Sequence, residues 1–170
     1  MSFATQSIHA ACTAQARFES PLGQMLLART ERGLAGVWFE GQKDHPGHLD
    51  APVVPDDPLL SAAAAQLTDY FEGRTAHFDL PLDLHGTAFQ RSVWQALLGI
   101  AAGGTRSYGD IAREVGSPRG VRAVGAAVGK NPVSVIVPCH RVLGTDGTLT
   151  GYAGGIDRKR ALLVLEGVAL

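Results

Sequence analysis

The stretch "IVPCHRV" (residues 136–142) places a thiol, an imidazole and a guanidinium at the successive positions Cys139, His140 and Arg141. A thiolate is a nucleophile, and a neighbouring base or cation favours its formation. A lone cysteine is commonly buried and inert, but the adjacent His140 and Arg141 favour a reactive thiol. Adjacent side chains of an extended chain point apart, so a bridging water can connect His140 to Cys139 as well as a direct bond can. A polar residue that orients His140 is expected from elsewhere in the chain.

The segment before the thiol is apolar and bounded by prolines. Val133–Val137 lies between Pro132 and Pro138, which predicts a buried strand or extended segment. Because Pro138 has no N–H to donate to a sheet, we expect Cys139 to emerge where this segment ends. Asn131 precedes it. An Asn-Pro pair is common as a simple turn, and here it also connects the thiol to a helix predicted upstream.

Positive charge is concentrated in one part of the chain. Residues 106–141 carry a net charge of +4, whereas residues 1–105 carry −5 and the whole chain carries −1. A basic segment of this kind can bind a polyanion such as nucleic acid. A solvated basic surface explains the charge equally well, so charge alone leaves both possibilities open.

Three helices are predicted in the second half of the chain, before the thiol. Thr87 fits the N-cap of a helix over Ala88–Leu98. The segments Ser107–Val115 and Arg119–Gly129, with a Gly-Ser-Pro turn between them, fit a helix-turn-helix. The last helix is predicted to bury Val121, Val124 and Val128. Its opposite face is basic and lacks bulk, and comprises Arg119, Arg122, Ala126, Gly129 and Lys130. A tight helix–helix contact would explain the small residues, whereas a nucleic-acid groove would explain the arginines as well.

The first half of the chain has the pattern of a small α+β domain without evident chemistry. Short strands at Ala14–Glu19, Gln24–Ala28 and Leu34–Phe39 are separated by turn residues. A helix is predicted over Pro58–Glu72 and another strand over His77–Leu84. Residues 41–57, between the third strand and this helix, predict a solvated loop. Its two histidines, His45 and His48, lack the further ligands that a metal site requires.

Composition indicates a globular protein of a reducing compartment. With 170 residues and 45% hydrophobic content, the chain can form one large domain or two small ones. Two cysteines without obvious pairing argue against a disulfide framework. The N-terminus lacks the pattern of a signal peptide, and no apolar run approaches the roughly 20 residues of a membrane span. We therefore expect a cytoplasmic protein that does not bind a membrane.

Four motifs together resemble a known family. They are "SYGDIAREVG", "RGVRAVGAAVGKN", "NPVSVIVPCHRV" and "GYAGGIDRKRALLVLEG". Over residues 85–167 they are similar to the O6-alkylguanine-DNA alkyltransferases, most closely to the short bacterial form. The resemblance implies an α+β fold. Residues 1–85 would form an RNase H-like domain with a small three-stranded antiparallel sheet and a helix. Residues 86–170 would form a mainly helical domain with the helix-turn-helix and an active-site loop.

The resemblance also implies the activity. Members of this family repair O6-alkylguanine by moving the alkyl group irreversibly onto their own cysteine, here Cys139, and O4-alkylthymine is expected as a further substrate. His140, Glu166 and a water would take up the proton of the thiol. Tyr108 would stabilise the leaving guanine, and Asn131 is expected among the catalytic residues. Each molecule would act once, because a thioether does not hydrolyse.

A substrate pocket is implied next to the thiol. It would comprise Val142, Tyr152, Ala153 and Gly154. The backbone carbonyls of Cys139 and Val142 would bind the exocyclic amine of guanine. Many members of the family have a serine where this chain has Ala153, so a side-chain hydroxyl contact to the substrate is absent here.

The resemblance places the DNA contacts on the second helix of the helix-turn-helix. The lesion must leave the duplex, because its alkyl carbon cannot be reached within the base stack. Arg122 would fill the vacated space, while Ala126 and Gly129 would let the helix enter the minor groove. Arg119 and Arg141 complete the expected contacts. The expected partner is double-stranded DNA containing O6-alkylguanine, bound by a monomer, with cooperative binding left open.

Other classes of protein share some of these features but fit the sequence less well. Cys139 argues against the alkyltransferase-like proteins, which replace the nucleophile. Cys12 with His9 nearby is too little for the zinc site of the larger adaptive-response regulators, so no metal and no cofactor are expected. A helix-turn-helix regulator would leave the Cys-His pair without a role, and a thiol hydrolase would leave the basic, glycine-rich helix unexplained. Irreversible alkylation of Cys139 by modified DNA separates the transferase from both.

Overall fold

The computed structural model describes residues 2–170, which divide into two compact units. The first unit comprises the chain up to Gly86 together with Pro132–Ser134. The second comprises Thr87–Asn131 and Val135–Leu170. Within residues 2–170, no helix is both long and apolar enough to cross a bilayer.

The first unit is an antiparallel sheet with two helices. Its elements are α1 (Phe3–Ala11), β1 (Ala14–Ser20), β2 (Gly23–Arg29), β3 (Leu34–Phe39) and α2 (Pro58–Phe71). The sheet has the order β1-β2-β3, and its three strands and α2 confirm the elements predicted from the sequence. Helix α1 was not predicted. Its N-terminus is capped by Ser2, whose hydroxyl accepts a hydrogen bond from the N–H of Thr5.

The core of this unit forms between the sheet and α2. Every residue of β3 is buried, whereas β1 alternates between more and less buried positions. The largest fully buried side chains here are Met25, Leu27, Leu34, Phe39, Leu60, Leu67 and Tyr70. Each such side chain stabilises the fold by about 1.5–3 kcal/mol relative to an exposed one.

The strand predicted over residues 77–84 is wrong. Only Leu82 forms a bridge, to Leu34. The N–H of Leu34 donates to the carbonyl of Pro81, and the N–H of Asp83 donates to the carbonyl of Leu34, both at 2.8 Å. The segment alternates in sequence, but in the sheet it pairs with the backbone of Leu34 only, and Pro81 has no N–H with which to extend the pairing.

The second unit is mainly helical. It comprises α3 (Ala88–Leu98), β4 (Arg106–Ser107), α4 (Tyr108–Glu114), α5 (Val121–Gly129), β5 (Val142–Leu143) and α6 (Ile156–Leu165). Helix α5 begins two residues later than predicted, because the N–H of Gly120 closes a turn onto the carbonyl of Ser117 at 2.8 Å. Val121 therefore lies in the first helical turn and is 40% exposed, which contradicts its predicted burial. The buried face of α5 holds Val124, Ala127 and Val128.

The apolar run over residues 133–137 is buried as predicted, but it forms a turn and not the predicted strand or extended segment. Val133 alone forms a bridge, to Val37. Val135 then has a φ of 72°, in the left-handed region that a β-branched residue rarely adopts. This conformation costs on the order of 1–3 kcal/mol and persists because the surrounding packing holds it. Val135 lies at the centre of the turn that precedes the thiol, four residues before Cys139.

Candidate active site and DNA-contacting surface

Cys139 lies in a 3₁₀ turn, Cys139–Arg141, after the turn at Val135. Its N–H donates to the carbonyl of Val137 at 2.8 Å, and the N–H of Arg141 donates to the carbonyl of Pro138 at 3.0 Å. The side-chain amide of Asn131 donates to the carbonyl of Val137 at 2.8 Å and to Sγ of Cys139 at 3.1 Å. Cys139 is 5% exposed. Cys139 is thus held inside a tight turn, whereas the sequence predicted that it emerges where a buried strand or extended segment ends.

The thiol of Cys139 is protonated at neutral pH. Burial raises the pKa of this thiol above its ordinary value. The hydrogen bond from Asn131, the positive charge of Lys159 and backbone N–H groups of the turn act in the opposite direction, but burial is the largest influence. The thiol therefore needs a proton acceptor before it can act as a nucleophile.

His140, which follows Cys139 directly in sequence, forms a buried pair with Glu166. Nε2 of His140 lies 2.8 Å from Oε2 of Glu166, and the two side chains are 0% and 1% exposed. Burial lowers the pKa of His140, with Glu166 opposing and Arg141 and Lys159 adding to the decrease. Nδ1 of His140 is buried and has no hydrogen-bond partner within residues 2–170. The neutral imidazole can therefore accept a proton at Nδ1 while Glu166 holds Nε2.

Arg141 does not belong to a DNA-contacting surface, and this prediction is corrected. Its Nε and Nη2 donate to the two carboxylate oxygens of Glu166 at 2.7 and 2.8 Å. Its Nη1 donates to the carbonyl of Ile100 at 2.5 Å. The side chain is 7% exposed. Its position within the basic segment suggested a surface residue, but the guanidinium compensates a buried carboxylate and cannot reach a phosphate in this arrangement.

Lys159 is a buried cation that the sequence analysis missed. It is 0% exposed, and its ammonium donates to the carbonyls of Val142, Thr150 and Gly151 at 2.5, 2.9 and 3.2 Å. Burial lowers the pKa of Lys159 to about 8, with Cys139 opposing the change. One signal could have found it: on α6, Lys159 stands three and four residues before two buried leucines, which puts it on the buried face.

Tyr108 contacts two of the same carbonyls. The hydroxyl of Tyr108 donates to the carbonyls of Thr150 and Gly151, at 2.9 and 3.3 Å. Burial raises the pKa of Tyr108, and Cys139 adds to the increase. Val142 is buried, whereas three further predicted pocket residues are half-buried, namely Tyr152, Ala153 and Gly154. Tyr108 and Lys159 thus share two acceptors in the loop that leads into α6.

The exposed face of α5 is basic and without bulk, as the sequence predicted. Arg119, Arg122 and Ala126 are exposed and Gly129 is half-buried. A Cβ added to Gly129 would meet no atom within 4 Å. The buried side of α5 is bonded to α3, because Nε1 of Trp94 donates to the carbonyl of Ala127 at 2.8 Å. A helix with small exposed side chains, one guanidinium group on it and another just before it can lie close to a polyanion.

Cys12 lacks the surroundings of Cys139. Burial, with a contribution from Asp83, raises the pKa of Cys12 to about 11, so this thiol is a poor nucleophile at neutral pH. In the part of the chain that the structure describes, no three His, Cys, Asp or Glu side chains lie close enough to hold a metal ion.

Comparison with known proteins gives consistent matches along the chain. Residues 88–168 match the DNA-binding domain of 6-O-methylguanine DNA methyltransferase, and residues 15–84 match its ribonuclease-like domain. A methylated-DNA–protein-cysteine methyltransferase of Mycobacterium tuberculosis is 50% identical over 148 residues, which are 87% of this chain and 88% of that protein. One of Methanosarcina acetivorans is 48% identical over 153 residues, 88% of this chain and 96% of that protein. The crystal structure of Mycobacterium tuberculosis OGT in complex with DNA has a TM-score of 0.82 and 48% identity, covering 90% of this chain and 92% of that chain.

A helix-turn-helix next to a buried cysteine and a His–Glu pair is the architecture of a DNA-binding protein built around a thiol. The chain belongs to the 6-O-methylguanine DNA methyltransferase family. The resemblance carried by the four motifs is thereby confirmed, as is the α+β fold with its N-terminal three-stranded antiparallel sheet. The chain is accordingly a DNA-repair methyltransferase of the protein-cysteine class, which acts once per molecule.

Proposed function

We propose that this protein repairs O6-alkylguanine in double-stranded DNA by transferring the alkyl group to Cys139. One observation carries the proposal: Asn131 donates to Sγ of Cys139 at 3.1 Å, next to a His140–Glu166 pair that leaves Nδ1 of His140 open. The same arrangement fits O4-alkylthymine, in which the alkyl group is likewise bound to an exocyclic oxygen of the base. All groups that the reaction needs come from one chain, which is consistent with a monomer.

Removal of the thiol proton is the first step. The proton passes from Cys139 through a water to Nδ1 of His140, which becomes an imidazolium whose Nε2–H stays bonded to Glu166. The amide of Asn131 stabilises the thiolate that forms, because it donates to the sulfur. This transfer is required because burial holds the pKa of the thiol above its ordinary value.

The thiolate then displaces the base. The sulfur attacks the alkyl carbon on the side opposite the O6 oxygen. The S–C bond forms as the C–O6 bond breaks, and the electron pair passes to guanine. Tyr108 donates to the leaving base, for which its hydroxyl must exchange the carbonyls of Thr150 and Gly151 for the substrate. Cys139 ends as a thioether that water does not hydrolyse.

Backbone carbonyls are proposed to hold the guanine. The carbonyls of Cys139 and Val142 accept hydrogen bonds from its exocyclic amine. The carbonyl of Val142 already accepts from Lys159, so it uses its second lone pair for the substrate. Tyr152, Ala153 and Gly154 line the remaining wall, and Ala153 offers its N–H without a side-chain hydroxyl.

Helix α5 is proposed to bind the minor groove. Ala126 and Gly129 allow its backbone to approach DNA, because neither carries bulk on the exposed face. The lesion is flipped out of the stack, Arg122 fills the vacated space, and Arg119 binds a phosphate. The minor groove offers little sequence information, which suits a protein that must act wherever a lesion occurs.

Mass spectrometry of the intact protein and its peptides, after incubation with duplex DNA containing one O6-methylguanine, tests the acceptor. We expect one added methyl group on the Cys139 peptide, saturating at one per molecule. Cys139→Ser should bind the DNA and gain no mass, while the matched variant Cys12→Ser should react like the wild type. DNA binding without any added mass would leave a lesion-binding protein and exclude the transferase.

The DNA contacts are tested by comparing two substrates. Arg122→Ala should slow repair of duplex lesions and largely spare reaction with the free alkylguanine base. Ala126→Leu should reduce duplex binding by bulk alone, whereas Ala65→Leu, on an exposed position of α2, should leave it unchanged. An equal loss on duplex and free base would overturn the role of Arg122 in flipping.

A further inference from the structure

We propose that Arg141 is a positioning residue that fixes the direction of proton transfer: it keeps Glu166 ionised and thereby holds the imidazole hydrogen of neutral His140 on Nε2, leaving Nδ1 open. This inference rests on the proposed function, in which Nδ1 receives the proton of the thiol. It also gives Arg141 a role in place of the DNA contact that the sequence suggested.

The geometry of the three side chains carries the inference. Oε1 of Glu166 accepts from Nε of Arg141 at 2.7 Å, and Oε2 accepts from Nη2 at 2.8 Å. Oε2 also lies 2.8 Å from Nε2 of His140. One carboxylate oxygen therefore contacts both the guanidinium and the imidazole, and the bidentate pair fixes the plane of the carboxylate.

Charge compensation explains why the hydrogen lies on Nε2. The Glu166 side chain is 1% exposed, and a buried carboxylate without a countercharge is strongly disfavoured, so it takes up a proton. An ionised Glu166 can only accept, and so Nε2 must donate. A protonated Glu166 can donate to Nε2 instead, and the imidazole hydrogen of a neutral His140 would then move to Nδ1. In that tautomer Nδ1 has no lone pair for the thiol proton.

The third donor of Arg141 keeps the guanidinium in place. Its Nη1 donates to the carbonyl of Ile100 at 2.5 Å, and the N–H of Ile100 donates to the carbonyl of Leu97 at 3.0 Å, at the end of α3. The guanidinium is thus attached to the backbone as well as to Glu166. Its charge also contributes to lowering the pKa of His140, which keeps the imidazole neutral before the reaction.

Nitrogen NMR of ¹⁵N-histidine-labelled protein reads the tautomer directly, because the two ring nitrogens of a neutral imidazole differ according to which one carries the hydrogen. In the wild type we expect His140 to carry it on Nε2. Arg141→Gln removes the charge but keeps an amide donor, and should move the hydrogen to Nδ1. Arg141→Lys keeps the charge and should retain the Nε2 tautomer. As a matched control, Arg29→Gln removes a partly buried Arg–Asp57 pair of the first unit and should leave the His140 signals unchanged.

Two outcomes of the NMR measurement would overturn the proposal. A wild-type His140 with its hydrogen on Nδ1 would do so without any variant, and so the test does not depend on whether Arg141→Gln folds. An Arg141→Gln protein that folds and keeps the Nε2 tautomer would reduce Arg141 to a structural residue. Both readouts are made without DNA, so they are independent of whether Cys139 is the alkyl acceptor.

The rate of alkyl transfer gives the functional readout. We expect Arg141→Gln to react at least about a hundredfold more slowly than the wild type, in line with the loss of a general base. Arg141→Lys should recover most of the rate. Loss of rate in both variants with an unchanged tautomer would also count against the proposal.

Discussion

The side-chain amide of Asn131 donates one hydrogen bond to Sγ of Cys139 at 3.1 Å and another to the carbonyl of Val137 at 2.8 Å. The second bond fixes the plane of the amide, so the first is aimed at the sulfur from a set direction. A hydrogen bond to the ionised form favours ionisation. Asn131 therefore acts against burial, which holds the thiol in its protonated form.

Replacement of Asn131 by alanine should slow alkyl transfer. A hydrogen bond to a charged group contributes about 1.5–3 kcal/mol, so we expect a loss of roughly ten- to a hundredfold in the single-turnover rate on duplex O6-methylguanine. Asn131→Asp has almost the same shape but places a carboxylate beside the thiolate, and should be slower still. An alanine variant that reacts at the wild-type rate, with its fold verified by circular dichroism, would contradict the role of the amide.

The rate should also persist into mildly acidic solution. Burial lowers the pKa of His140 from the ordinary histidine value of 6.5, so the imidazole becomes protonated only at a pH below 6.5. Neutral His140, the form that can accept the thiol proton, is then still present where an ordinary histidine would be half protonated. Single-turnover rates between pH 5 and 8 should be level down to 6.5 and fall only below it. Half-loss at or above pH 6.5 would show that Glu166 dominates over burial.

Lys159 should make stability depend on pH in an alkaline window. Burial lowers its pKa to about 8 from an ordinary value of 10.5. Between these values the unfolded chain binds a proton that the folded chain does not, so stability rises with pH, by up to about 1.4 kcal/mol per pH unit. Urea unfolding of the wild type and Lys159→Met should give a difference that is flat below pH 8 and grows in favour of the wild type up to about 10.5. A flat difference throughout would mean that the three carbonyl acceptors keep the ammonium charged.

Gly36 should tolerate no side chain. A Cβ added to it would lie 1.8 Å from a ring carbon of Trp38, which is itself 2% exposed and cannot move into solvent. We expect Gly36→Ala to lower the free energy of unfolding by about 3 kcal/mol or more, at the upper end of overpacking effects. Gly129→Ala is the matched control: its Cβ meets open space, and stability should stay the same or rise by up to about 1 kcal/mol. Equal urea midpoints for both variants would contradict the packing argument.

Short-range sequence patterns predicted the strands of the first sheet and helix α3. The strands of the first sheet alternate and are separated by turn residues, and α3 has a threonine cap that the structure shows bonded to Gln90. The turn at Val135 could not be predicted in this way, because the left-handed conformation opposes the preference of valine and exists only through tertiary packing.

The candidate site was predictable where its residues are neighbours in sequence. Cys139 and His140 are adjacent, whereas Glu166 is 26 positions from His140 and was indicated by the family resemblance alone. Lys159 was missed and Arg141 was placed on the surface for one physical reason. Lys and Arg are ordinarily solvated, and only a fold with buried carbonyls and a buried carboxylate can hold them inside.

Part of the first unit, Pro132–Ser134, is synthesised after most of the helices of the second unit. These three residues cluster with the first unit, where the N–H of Val37 donates to the carbonyl of Pro132 and the N–H of Ser134 donates to the carbonyl of Val37, both at 2.9 Å. A ribosome that has made only the first 86 residues has therefore supplied the partners of Leu34 but not those of Val37, and an unpaired stretch of strand edge can associate with other chains. The two backbone hydrogen bonds of Val37 can form only after the residues just before the thiol have left the exit tunnel.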